Sequence, residues 1–309
     1  MQTAFRTILP GRGVLAVAGD DRRDFLQGLV SNDMIRVDKG RAVYAALLTA
    51  QGRFLHDFFV LDAGDALLVD CEAERRDDLR TRLTRYRLRA KVAIEDRTDM
   101  LAVGVLTGDA AARLQLGPAT GVATGFGGGH AFVDPRLAAL GVRAVLPRDT
   151  AEASLAETGL PLGTPDDYDR LRLGLGVPDG SRDMPPEKAL LLESNFDELN
   201  GVDWKKGCYI GQELTARTKY RGLLKRRLMP VSFRGDAPPP GTQVVLDGKD
   251  AGETRSSRDG TGLALLRIEA AEAALRGNGV LMAGDLPLAV SRPAWLAPAE
   301  TVSPAPSAG

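Results

Sequence analysis

The strongest constraint on how this chain can fold is a change of rhythm near Leu228. Before it, apolar runs alternate with helical periods. Residues 14–18 read as a buried strand. Gly19-Asp20-Asp21 offers a helix start, and Phe25, Leu26, Leu29 and Val30 form one apolar face ending near Asn32. Strands are expected over 42–48, 54–61 and 66–71, divided by the turns Gln51-Gly52 and Ala63-Gly64-Asp65. A helix over 72–88 sets Leu79, Leu83 and Tyr86 against an arginine-rich face. Strands over 91–96 and 101–106 complete a split βαβ unit with an added hairpin. From Leu228 onward, short alternating segments at 228–233, 243–246, 252–257, 262–268 and 286–290 are punctuated by Pro and Gly. That pattern suits a small β-barrel.

Between these parts the order is mixed. A short helix is expected at 109–114, and strands at 130–133 and 142–146. Gly125-Phe126-Gly127-Gly128-Gly129-His130 reads as a hairpin or loop; it lacks the Lys-Ser/Thr ending of a phosphate loop. Thr164-Pro165-Asp166-Asp167 starts a helix with proline at its first position. That helix carries Tyr168, Leu171 and Leu175 and runs into Gly174, Gly176 and Gly180. Residues 187–192 read as a helical turn. The organisation expected is α+β: a region over 1–227 with two subdomains, a barrel over 228–297, and a Pro-, Ala- and Ser-rich disordered tail over 298–309.

Length and charge narrow the class. The 309 residues allow two or three subdomains with a sizeable core. No apolar run approaches the ~20 residues of a membrane helix. The first ten residues lack a long apolar stretch, so no signal peptide is expected. His56, His130, Cys71 and Cys208 are scattered, without zinc spacing and without the four cysteines of an iron–sulfur cluster. One chain contributes at most a ligand to a cluster shared with a partner. The scarcity of cysteine suits a reducing compartment, and the cytoplasm is expected.

One tract stands out chemically: Lys205-Lys206-Gly207-Cys208-Tyr209-Ile210-Gly211-Gln212-Glu213. Adjacent ammonium groups favour the thiolate over the thiol, and the thiolate is the reactive form. The glycines let backbone come close to a ligand or adopt positive φ. Basic residues follow at Arg217, Lys219, Arg221, Lys225, Arg226, Arg227 and Arg234, while Glu213 is the only acidic residue from Lys205 to Arg234. The formal net charge of the chain is only −1, so this is a local concentration and predicts an anion-binding surface beside a thiol. On residues alone, a turn around a buried, inert cysteine is an equal reading.

The run 199–218 resembles the signature of the YgfZ-type folate-binding proteins, relatives of the glycine-cleavage T-protein (aminomethyltransferase). It is most similar to the branch that includes mitochondrial iron–sulfur maturation proteins. Residues 17–33, 49–57 and 169–178 resemble three further landmarks of that superfamily, so the likeness spans nearly the whole chain. It implies three subdomains in a ring around a hole that takes tetrahydrofolate or another reduced folate. It selects Asp33, Tyr44, Arg53 and Asp57 as folate-facing, where composition alone reads a turn with solvated charges. It makes Arg172 a partner for the folate carboxylate tail. Gly174 stands where the T-protein has a glutamate, a departure from its Arg-x-Glu motif. Asp77 or Asp78 is the nearest match to the T-protein's catalytic carboxylate. In the thiol loop, Lys206 is expected as charge partner and Cys208 as reactive thiol, with Gly207, Tyr209, Gly211, Gln212 and Glu213 shaping the loop.

The function implied is support of iron–sulfur cluster assembly or repair, with folate, assembly proteins and client enzymes as partners. Two alternatives stand beside it. One is a folate-dependent aminomethyl transferase. The other is a tRNA-interacting modification factor using residues 219–227, a basic run with one aromatic, Tyr220, for weak RNA contact.

Overall fold

A computed structural model describes residues 4–297; the tail expected over 298–309 lies outside them. In chain order the elements are β1 (Arg6–Ile8), β2 (Arg12–Ala18), α1 (Arg22–Gln27), β3 (Val43–Leu48), β4 (Phe54–Asp62), β5 (Ala66–Glu72), α2 (Arg76–Tyr86), β6 (Ala93–Asp96) and β7 (Leu101–Leu106). There follow α3 (Ala110–Arg113), β8 (Ala123–Phe126), β9 (Gly129–Val133), β10 (Val142–Pro147), α4 (Ala151–Ala156), α5 (Pro165–Gly174), α6 (Gly180–Asp183) and α7 (Gln212–Tyr220). Last come β11 (Arg226–Ser232), β12 (Gln243–Leu246), β13 (Lys249–Arg258), β14 (Thr261–Arg267), α8 (Ile268–Leu275), β15 (Leu281–Ala283) and β16 (Leu286–Val290).

The first sheet has the order β3-β4-β5-β2-β6, and its strands other than the exposed edge strand β6 are buried on both faces. Val43, Ala45 and Leu47 of β3 point to a core closed by α1 and α2. Tyr44, Ala46 and Leu48 point the other way, to a core shared with Phe132, Val103 and Val145 of the second sheet. This period-two split of one apolar run is why β3 and β4 read as continuous hydrophobic stretches. The second sheet has the order β1-β7-β10-β9-β8. The glycine-rich run at 125–130 closes its β8–β9 hairpin, with Gly127 and Gly128 both at positive φ in the turn. The barrel is closed, in the order β11-β14-β13-β12-β15-β16.

Two elements differ informatively from their expected bounds. α1 stops at Gln27, although Leu29 and Val30 beyond it are buried. The carbonyls of Gln27 and Val30 are taken by a lysine from far along the chain, and that contact replaces further helix. α5 starts where expected: Thr164 Oγ1 accepts from the Asp167 N–H, and an Asp167 carboxylate oxygen accepts from the Thr164 N–H, a reciprocal cap with Pro165 at the first position. No helix among the described residues is long and apolar enough to cross a membrane.

Candidate functional site

The expected site residues fall into two places. The first is the loop between Asp203 and Gly211. Lys206 Nζ donates to the carbonyls of Gln27 (2.5 Å) and Val30 (2.6 Å), at and just past the C-terminal end of α1, where carbonyls lack partners inside the helix. Gln27 Nε2 donates back to the Lys206 carbonyl and to Asp33 Oδ1, both at 3.0 Å. Asp33 Oδ1 also accepts from the Ile35 N–H, capping the 3-10 turn Met34–Arg36. The Lys206 ammonium lies 5.0 Å from the centre of the Tyr209 ring. Burial pushes Lys206 down to about 8, against the opposing pull of Asp33 and Asp203. This corrects the expected role of Lys206: its ammonium is committed to holding the loop on α1, and is not a free charge partner for the thiol.

The far end of the loop is pinned by backbone packing. Gly211 has φ +79°, and a Cβ there would meet the Thr49 carbonyl oxygen at 2.4 Å and the Gly52 Cα at 2.9 Å. A Cβ on Gly52, at φ +80°, would in turn meet the Gly211 carbonyl oxygen at 2.7 Å. The Gln51-Gly52 turn and the loop therefore touch main chain to main chain. Gln212 Oε1 accepts from the Tyr209 N–H at 3.3 Å. Glu213 sits in the first turn of α7, where the helix dipole favours an acid. Between the two pinned ends, Gly207 at φ +91° and Cys208 are exposed. Cys71 is the contrast: it is buried on β5, and burial pushes its thiol up to about 12.

The second place is the interior of the ring. Tyr44 Oη donates to Asp57 Oδ2 across β3 and β4 at 2.8 Å, and both are buried. Burial raises the Asp57 carboxyl above its usual range, against the pull of Arg12. The Tyr44 ring stacks on Phe196, centroids 4.8 Å apart. Two residues beyond Asp57 on β4, the Phe59 ring has the guanidinium groups of Arg143, Arg136 and Arg12 at 4.2, 4.9 and 5.7 Å from its centroid. Arg12 and Arg143 both bind Asp70, each at 2.7 Å, and Arg136 binds Asp134 at 2.8 Å. Asp70 stays below the usual carboxylate range: burial works to raise it, and the two guanidiniums outweigh that. Arg136 and Arg143 both donate to the Tyr168 hydroxyl. Arg12, Phe59, Arg136, Arg143 and Tyr168 line a cavity of about 300 Å3, with Glu72, Glu74, Asp179 and Arg182 nearer the opening; Tyr44, Asp57, Asp70 and Asp134 are not part of its lining.

Other expected positions lie elsewhere. Arg53 donates to the Lys188 carbonyl beside the Gly52 turn, outside the cavity. Arg172 is on the cavity wall, but its donors are spent internally on Asp169, Asp183, Ser256 Oγ and the Val177 carbonyl. This corrects its expected role, since no donor is left for a carboxylate tail. Arg182, with its side chain 45 % exposed, is the guanidinium that the mouth leaves accessible. Asp77 and Asp78 sit on the outer face of α2, in ion pairs with Arg76, Arg80 and Arg82. Asp78 also meets His56 Nε2 at 2.8 Å, and burial lowers His56 to about 4. The interior cluster of Arg12, Asp70, Asp134, Arg136 and Arg143 was missed from sequence. Its signal was one charged residue inside each apolar strand, Asp70 in Leu67–Cys71 and Arg143 between Val142 and Ala144.

The architecture defines a T-protein-fold protein with an appended barrel, and comparison with known proteins agrees. Residues 12–121 match the family described as GCVT N-terminal domain. Residues 225–298 match the CAF17 C-terminal beta-barrel domain. The glycine cleavage system aminomethyltransferase T from Bartonella henselae has the same fold, with TM-score 0.74, 16% identity and coverage of 95% of this chain and 86% of that one. The mitochondrial iron-sulfur cluster assembly factor IBA57 of Homo sapiens is 35% identical over 90% of this chain and 83% of its own length. That of Mus musculus is 35% identical over 86% and 78%. The chain belongs to the IBA57 family, within the glycine-cleavage T-protein superfamily. These relatives are named mitochondrial, which overturns the cytoplasmic setting expected from cysteine scarcity.

Proposed function

We propose that this chain supports iron–sulfur cluster assembly, presenting Cys208 to a partner from a loop fixed at both ends and taking a reduced folate in the ring cavity. The observation that carries the reading is the contrast at the loop. Lys206 and Gly211 are anchored, while the thiol between them faces solvent. An anchored backbone with an exposed thiol suits presentation to another molecule, because the loop need not be ordered on contact. The IBA57 relatives are named for the same role.

The cavity fits a folate by the chemistry of its lining. Glu72, Glu74 and Asp179 are carboxylates that can accept from the N–H edge of a pterin. Arg182, whose Nη atoms bond Asp169 and Asp179, is the half-exposed guanidinium at the mouth and the candidate for a carboxylate tail there. Phe59 is not a stacking surface, because guanidinium groups cover it. A reduced folate bound there would supply a one-carbon carrier. The buried Asp57–Tyr44 pair would hold its proton beside the pocket.

The test is complementation. In cells lacking the protein, Cys208→Ser should leave abundance unchanged and fail to restore enzymes that use four-iron clusters. Full rescue by Cys208→Ser would remove the thiol from the proposal. Tetrahydrofolate titration by calorimetry tests the cavity separately; no heat and no thermal stabilisation at millimolar ligand would end the folate part.

A further inference from the structure

We infer that the exposed side of α7 and its flanking loops form a docking surface for an acidic protein partner, anchored by Tyr220, Leu223 and Ile35 beside Cys208. The inference deepens the reading of Cys208 as a partner-facing thiol by naming the partner's surface chemistry.

Three large apolar side chains stand out in this region: Ile35 is 73 % exposed, Tyr220 71 % and Leu223 48 %. They are joined through the thiol loop. The Arg36–Asp203 ion pair, at 3.1 Å, ties the turn bearing Ile35 to the start of that loop. Trp204, next in sequence, meets the Tyr220 ring edge-on at 5.8 Å. Leu223 follows α7 directly, its N–H donating to the Thr218 carbonyl. Exposed apolar groups gathered around one loop mark an interaction surface more often than scattered ones do.

Part of the charge around these anchors is unspent. Lys219, Arg226 and Arg227 pair with Asp197, Asp250 and Glu198. Lys205, Arg217, Arg221 and Lys225 are exposed, and among the described residues none of the four forms an ion pair. The formal net charge of the chain is −1, so this surplus is local. Tyrosine and arginine together are the residues that dominate protein interfaces, and complementary charge speeds and orients encounter. A nucleic acid would use the same cations and stack its bases on several free aromatic faces. Here one ring, Tyr220, is exposed, while Trp204 is half-buried with the Lys219 ammonium 5.8 Å from its centroid. The aliphatic anchors Ile35 and Leu223 give a base no stacking face and favour a protein.

The test uses the intact chain with three probes: a synthetic peptide of Glu, Asp, Leu and Phe, its all-acidic counterpart, and bulk tRNA. Binding is read by anisotropy and by protection of Cys208 from alkylation. The mixed peptide should bind and slow alkylation. The double variant Arg217→Glu/Arg221→Glu should weaken it about tenfold or more, and Tyr220→Ser should weaken it even at high salt. Arg87→Glu, just past the end of α2, should change nothing. Absence of binding by the mixed peptide at millimolar concentration overturns the inference. Equal binding of both peptides, or tighter binding of tRNA that ignores Tyr220→Ser, also overturns it and leaves a general polyanion surface. The Cys208→Ser variant should still bind the peptide, so failure here and failure of the thiol's role are separable.

Discussion

At the scale of single residues, the two cysteines and Lys206 give the sharpest expectations. Cys71 is buried with a thiol pushed up to about 12, whereas Cys208 is exposed. Alkylation of the native protein should therefore modify one thiol, and alkylation in denaturant two; mass spectrometry reads the count and the site. Two adducts on the native protein would show that β5 opens. Lys206 carries a pH dependence of definite sign. Its folded pKa of about 8 lies below the ordinary lysine value of 10.5, so the unfolded chain binds more protons between those values. Stability from this group is lowest below about pH 8 and rises as pH climbs toward 10.5. Urea unfolding should show the wild type gaining on Lys206→Met between pH 7 and pH 10. A gap that stays constant or narrows would mean that the carbonyl hydrogen bonds outweigh the burial.

At the scale of elements, the two glycines that hold the loop against the Gln51-Gly52 turn set a tolerance. Gly211→Ala would place a methyl 2.4 Å from the Thr49 carbonyl oxygen at positive φ. It should cost ~1–3 kcal/mol and raise the proteolytic sensitivity of residues 203–211, as followed by thermal melts and limited digestion. Unchanged melting and digestion would show that the two loops part without cost. Much of this level was legible in the sequence. The strands at 54–62 and 101–106, the start of α5 and the 125–130 hairpin are written in local apolar runs, caps and glycine pairs. α7 was not legible, because its nine residues include two threonines and follow directly on a glycine. α8 was hidden inside a stretch whose surroundings are all strand. The site was legible as a motif but not as a geometry. Lys206 lies 179 residues from Gln27 in sequence, and nothing local announces that a helix end will meet it. Tyr44 and Asp57 are found together, but away from Asp33 and Arg53, with which the resemblance grouped them. Arg172 had the residue type of a ligand binder and the surroundings of a structural bridge.

At the scale of the whole molecule, that bridge decides how the barrel is attached. Arg172 on α5 binds Asp183 of α6 and Ser256 of β13, and Arg258 of β13 returns to Asp169. Leu173 packs with Leu228 and Leu263 beside them. Removing one side of a buried ion pair strands the other, so Arg172→Ala should cost ~3–5 kcal/mol. Arg182→Ala at the mouth removes half-exposed pairs with Asp169 and Asp179, so it should lower the melting temperature less than Arg172→Ala, and it should weaken tetrahydrofolate about tenfold. The reverse pattern would return the tail-binding role to Arg172. Calorimetry of the wild type should show one transition, because the barrel's inner wall supplies partners that the ring cannot do without. That same wall bears on inherited or engineered stop codons. A chain ended near residue 225 would keep every residue of the cavity and the thiol loop, yet Asp183 and Asp169 would lose barrel partners and Leu173 its cover. Against a typical margin of ~5–15 kcal/mol, such a loss leaves little folded protein. Truncation in the last quarter of the gene should thus behave as absence of the product, degraded by the cell, and not as a protein lacking one module.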